Sequence, residues 1–131
     1  MRRGIWWWLL FFIGFVGYPI LELVWRGRTH ISMAWAGGLA LMWVGAVSAL
    51  PIHGIWAALL STLGIGGIEL GIGAYVNLYL GLGVWDYSAL PYHLWGQVCP
   101  EYMGLWFLLS LALVYFLRRG RARFFAPRVR N

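Results

Sequence analysis

Residues Ile52 to Leu80 read IHGIWAALLSTLGIGGIELGIGAYVNLYL, 29 residues with one Asp, Glu, Lys or Arg side chain, Glu69. A surface helix of that length would carry a charged face. This one is apolar all round, which marks a segment whose solvent is lipid or protein. As a single helix it would be about 43 Å long against a hydrocarbon core of about 30 Å. It must therefore tilt, protrude or break, and Gly64-Ile-Gly66-Gly67 at its centre offers a place for a break or a close helix contact. Thr62, Gly66, Glu69, Gly73 and Asn77 follow at spacings of 4, 3, 4 and 4, so they form one small, polar stripe. Ile65, Ile68 and Ile72, with Tyr75 or Tyr79, are expected on the lipid side. Gly67 and Gly71 also make a G-x-x-x-G helix-contact motif. In an oligomer, the Gly66–Gly73 face is the expected contact between copies.

Working outward, every long run has the same character. Upstream, a first span is expected over about 5–25, opened by Trp6, Trp7 and Trp8 at an interface and closed by Glu22 and Arg26 in the favourable i,i+4 order. A second is expected over about 33–50, with Pro51 and Gly54 at the turn, and the long run gives a third over 52–80. Downstream comes W-D-Y-S-A-L-P-Y-H-L-W-G-Q at 85–97, which holds the chain's only Asp. A last span follows over about 98–117, then a basic tail at 118–131. Of the 131 residues 62% are hydrophobic and 11% charged, where a soluble domain carries about a quarter charged residues. The fold class is thus an all-α integral membrane protein, a single domain over 1–117. It has four transmembrane helices and a folded polar/aromatic link before the last of them.

All ten basic residues are Arg, and eight lie at the ends: Arg2, Arg3, Arg118, Arg119, Arg121, Arg123, Arg128 and Arg130. Four spans put both ends on one side, and the positive-inside rule places that side in the cytoplasm of a cell (inner) membrane, with Arg26 and Arg28 outside. A basic tail beside a lipid-grade helix is read as facing anionic headgroups rather than nucleic acid. The lone Cys99 excludes an internal disulfide and a CxxC metal site.

The candidate substrate- or ion-binding residues are Glu69, Glu22, Asp86, Arg26, His93 and Gln97. A carboxylate at mid-membrane costs several kcal/mol unless paired, hydrated or protonated, roughly 2.5–3.5 kcal/mol on insertion scales, which is why such residues mark working sites. Glu69→Leu is therefore expected to strand polar neighbours as well as remove the acid. Glu22 has Arg26 within reach. Asp86 is read as capping the turn through Ser88 or as a ligand. Trp85, Tyr87, Ser88 and Gly96 are the structural residues of the link. His30, His53 and His93 lack a metal-site spacing such as H-E-x-x-H. The reading therefore has no metal, no cofactor and no catalytic set, and Gly64-Ile-Gly-Gly does not complete a nucleotide-binding loop.

Trp85-Asp-Tyr-Ser88, Gly96-Gln-Val-Cys99, Glu101-Tyr102 and Trp106-Phe107, with the Glu69 helix before them and Gly17 to Glu22 in the first span, resemble the putative ABC-transporter type IV permease family. Small four-span proteins of the transmembrane protein 229 group share this pattern. His93 stands where that family has Asn or Asp, and the second span lacks a Gly-Pro-x-x-Pro-like pattern. The resemblance implies a four-span membrane protein connected with transport. Three functions follow: a small permease or channel-like protein using an intramembrane carboxylate, a non-catalytic accessory subunit of a larger membrane complex, or a membrane enzyme acting on a lipid. A single four-helix bundle leaves little room for a pathway, so transport implies a homo-oligomer or a larger complex.

Overall fold

The structure, a computed structural model, describes residues 1–127. It consists of four long helices: α1 (Arg2–Arg26), α2 (Ile31–Ser48), α3 (Gly54–Gly73, continued as a π-helical segment over Ala74–Tyr79) and α4 (Pro100–Phe125). Each is long and apolar enough to cross a membrane, and no strand occurs among the described residues. The chain is a multi-pass membrane protein.

The central helix is α2, of whose apolar window 56% is buried, against 11% for α1 and for α4. Composition explains this: Ala34, Ala36, Gly37, Gly38 and Gly45 are all buried, and small residues let backbones approach where lipid supplies no hydrophobic push between helices. Gly14 of α1 and Gly37 of α2 touch so closely that a Cβ on either would strike the other's carbonyl. Across the other side, Val44, Val47, Ala57, Ile65 and Val114 form a core of α2, α3 and α4. Trp43 lies over Gly64 and donates its indole N–H to the Leu60 carbonyl at 3.2 Å.

The long third run does not break at its glycines. Gly64, Gly66 and Gly67 lie in uninterrupted α-helix, and the irregularity comes later, over Ala74–Tyr79, where Leu80 N–H reaches back to Tyr75 at 2.9 Å. A cluster of glycines lowers helix propensity, but here Trp43 fills the space at Gly64 and Met103 that at Gly66, and packing decides. The expected lipid face is also corrected. Tyr75 and Tyr79 are exposed, but Ile65 is 6% exposed in the core and Ile68 and Ile72 pack against a second cluster around Trp85. The Gly66–Gly73 face is not free for a second copy: Met103 covers Gly66, and Trp85 and Gln97 cover Gly73.

The ends meet. Trp6 packs on Phe124 and Phe125 with centroids 5.2 and 6.0 Å apart, and Arg2 reaches the Ala126 carbonyl at 3.5 Å. The basic stretch after Leu117 begins as the last two turns of α4, which ends at Phe125; residues 128–131 of the expected tail lie outside those described. Arg118 is not spread toward solvent. It donates to the carbonyls of Ser48, Leu50 and Ile52 at 3.0, 3.2 and 2.7 Å, satisfying acceptors at the C-terminus of α2 and the turn after it. Arg119 and Arg121 lie over the rings of Tyr115 and Phe125.

Candidate functional site

The polar link 81–99 folds on itself. Trp85, 5% exposed, donates its indole N–H to the Gln97 carbonyl at 3.0 Å. Gln97, 2% exposed, accepts from Asn77 Nδ2 at 2.7 Å and donates to the Trp95 carbonyl at 2.9 Å. Asn77 Oδ1 in turn accepts the Val84 N–H at 2.7 Å. The π-helical segment supplies this last partner: the wide turn ends α3 with Asn77 facing the link. Asp86 accepts the Ser88 N–H at 2.9 Å, as an Asx turn does, and that bond holds its exposed carboxyl below the usual carboxylate range. His93 Nδ1 accepts the Gly96 N–H at 2.9 Å. Gly96 lies at φ 70°, and a Cβ there would sit 2.7 Å from Asp86 Oδ1. His30 and His53 play a similar part as N-caps of α2 and α3, accepting from Ser32 and Ile55.

A second polar region has the opposite character. α1 and α4 do not pack side by side along their length: they touch near the ends through Trp6 and again where Tyr18 meets Trp106, centroids 5.6 Å apart. Between them a cavity of about 370 Å³ opens, lined by residues of all four helices including Gly14, Val44, Ile65, Glu69 and Leu113. It adjoins a second, of about 380 Å³, lined by Glu22, Arg26, Tyr87 and Tyr102. Tyr18, Leu21, Trp106 and Leu109 line both, so the two form one cleft. It runs from the middle of the bundle to the end where α1 meets the link.

Glu69 sits at the floor of that cleft, 7% exposed. Its Oε2 and the neighbouring Trp106 Nε1 make no hydrogen bond of good geometry among the described residues, although the indole N–H stands next to the carboxyl. At the mouth, Glu22 is in contact with Arg26, and Arg26 also donates to the Val84 carbonyl at 3.1 Å, tying α1 to the link. Tyr87 stacks on Tyr102, centroids 4.6 Å apart. Burial first, and the nearby Glu69 carboxylate second, hold the Tyr87 phenol well above its ordinary value, so it stays a hydrogen-bond donor.

Of the residues singled out in the sequence, Glu69, Glu22 and Arg26 therefore share the cleft. Asp86, His93, Gln97, Trp85, Ser88 and Gly96 bond within the link, while Tyr87 faces both. Thr62, on the stripe of Glu69, donates to the Ala58 carbonyl of its own helix at 2.8 Å. Glu69→Leu would thus leave Thr62 bonded to its own helix, while the Trp106 N–H beside the acid would lose its nearest acceptor. Tyr18 and Trp106 were not legible as cleft residues. Their signals were slight: Tyr18 lies one turn before Glu22 on its face, and Trp106 belongs to a Trp-Phe pair in the last span.

The family model described as putative ABC-transporter type IV matches residues 5–128, and the chain belongs to that family. It is the family that the segment from Glu69 to Phe107 resembles. No curated relative and no solved structure matches the chain.

Proposed function

We propose that this member of the putative ABC-transporter type IV family is a small permease-like protein of the inner membrane that works through Glu69 in the α1–α4 cleft. One observation carries the reading: a nine-tenths buried carboxyl, with Oε2 unpartnered, in an otherwise apolar cavity that reaches the bundle surface. Such a group weakens the fold, since an unsatisfied buried polar atom costs roughly 1–3 kcal/mol. A residue that contributes no hydrogen bond to the bundle and burdens its stability has its use in a ligand, proton or cation. Both ends, with Arg2, Arg3 and the basic end of α4, then lie in the cytoplasm. Arg119, Arg121 and Arg123 meet anionic headgroups, while Arg118 serves the fold.

The test is Glu69→Gln in cells that need this protein. The variant should insert and accumulate as wild type and fail to support growth; full growth would remove Glu69 from the mechanism. The accessory-subunit reading is favoured by a different observation. Gly67 and Gly71 lie exposed on the outside of α3 with nothing within 4 Å of a Cβ at either, a smooth track for another helix. Under that reading Gly67→Leu abolishes function and Glu69→Gln does not.

A further inference from the structure

The charged groups of the cleft do not cancel. Glu22 and Arg26 are in contact with each other, and Arg26 is held further by the Val84 carbonyl, so the mouth sums to zero. The deeper cavity contains one acidic side chain, Glu69, and no basic one among the described residues. An ionised Glu69 would leave the cleft with a net charge of minus one in surroundings that solvate charge poorly. A carboxylate can accept about four hydrogen bonds, and the indole N–H of Trp106 is one donor. Beside the carboxyl stand two ring systems, Tyr18 and Trp106, inclined at 40°. The faces of such rings attract positive charge, more strongly when water is excluded. The remaining walls, at Gly14, Val44 and Leu113, are apolar.

From this juxtaposition we infer that the cleft binds an amphiphilic organic monocation taken sideways from the bilayer. Its charge lies against Glu69 beside the contacting rings of Tyr18 and Trp106, and its apolar body lies toward Val44 and Leu113. An acyl chain would bring neither charge nor a polar partner to Glu69, an uncharged alcohol would bring no charge, and an anion would meet repulsion. The cavity of about 370 Å³ is of the size that holds compact ligands. The inference rests on the reading of Glu69 as the working group and adds the class of ligand.

The probe is radiolabelled tetraphenylphosphonium, a permanent cation, added to the full chain purified in uncharged detergent and followed by equilibrium dialysis. Tetraphenylborate, the same shape with the opposite charge, is measured in a separate series. Saturable binding of the cation is expected, with the anion weaker by at least about tenfold, a difference of about 1.4 kcal/mol. Glu69→Gln should weaken the cation by a similar factor. Gly17→Leu should do the same with the carboxylate intact, because Gly17 lines the cleft and a Cβ there meets nothing within 4 Å, so Leu projects into the space. Circular dichroism and a monodisperse elution profile establish that each variant is folded. No saturable binding by the wild type overturns the inference. So does anion binding as tight as that of the cation, or wild-type affinity in both folded variants. Growth of the Glu69→Gln cells is scored separately. A cation that fails to bind, with growth still abolished by Glu69→Gln, sinks the ligand class and leaves the role of Glu69 standing; the reverse pair of results does the opposite.

Discussion

The link at 81–99 and the α1–α4 cleft are the two polar regions of an apolar molecule, and they treat polarity in opposite ways. In the link, Trp85, Asp86, His93 and Gln97 each find a partner, most within a few residues along the chain. In the cleft, Glu69 Oε2 and Trp106 Nε1 find none among the described residues. The difference teaches how to read a polar residue between membrane spans. A group that its own loop can satisfy is scaffold, however much it looks like a site. A carboxylate within a helix has no such recourse, because the N–H groups of its own backbone are already bonded, and it must wait for another element or a ligand.

The contrast can be broken, and the largest effect should come from the link. Gln97→Leu removes the acceptor of Asn77 Nδ2 and the donor to the Trp95 carbonyl, leaving two groups without partners. At roughly 1–3 kcal/mol each, thermal unfolding followed by circular dichroism should show a loss of about 2–6 kcal/mol. A midpoint equal to wild type would mean the link is not scaffold. Gly96→Ala comes next, since φ 70° costs a residue with a side chain about 1–2 kcal/mol, and the added carbon meets Asp86. The same melt should resolve it.

The cleft should give less. Glu69→Gln should change stability by under about 1 kcal/mol in either direction, since no hydrogen bond of the fold depends on the acid. A large loss of stability would make Glu69 scaffold too and erase the contrast. The smallest effect is expected at Asp86. Its folded carboxyl titrates below its unfolded value, so its contribution is present above the unfolded pKa and fades as pH falls through the folded one. Comparing Asp86→Ala with wild type at pH 7 and again below pH about 3, under the ordinary Asp range, should show the difference in melting midpoint shrink in acid. A gap that widens in acid would contradict the assigned bond. Asp86→Asn, which keeps the acceptor, should lie between the two at neutral pH.

The same contrast explains what could be read from the sequence. Four spans were legible because hydropathy and length act residue by residue, and the pairing of Glu22 with Arg26 because i,i+4 partners meet on any helix. That Ile65 is core rather than lipid-facing could not be read. In lipid, Ile suits both environments, so hydropathy does not tell them apart. The central position of α2 was signalled only by its Ala and Gly content. The cleft was the least legible, because it arises from α1 and α4 failing to pack, a relation between distant segments. Glu69 stood out, but Tyr18 and Trp106, brought to it from two other helices, did not. The π-helical segment over Ala74–Tyr79 had no signal in the sequence, whereas the glycines at 64–67 offered either a break or a close contact, and Gly64 and Gly66 make the contact.

Arg118 bears on how the chain is made. The carbonyls it satisfies, those of Ser48, Leu50 and Ile52, belong to a turn synthesised more than sixty residues earlier. Until the last helix emerges from the ribosome, that turn has no guanidinium, and a chain stopped anywhere before residue 118 carries an open seam between its second and third spans. The same arginine that adds charge to the end of α4 also ties that helix to the turn between α2 and α3.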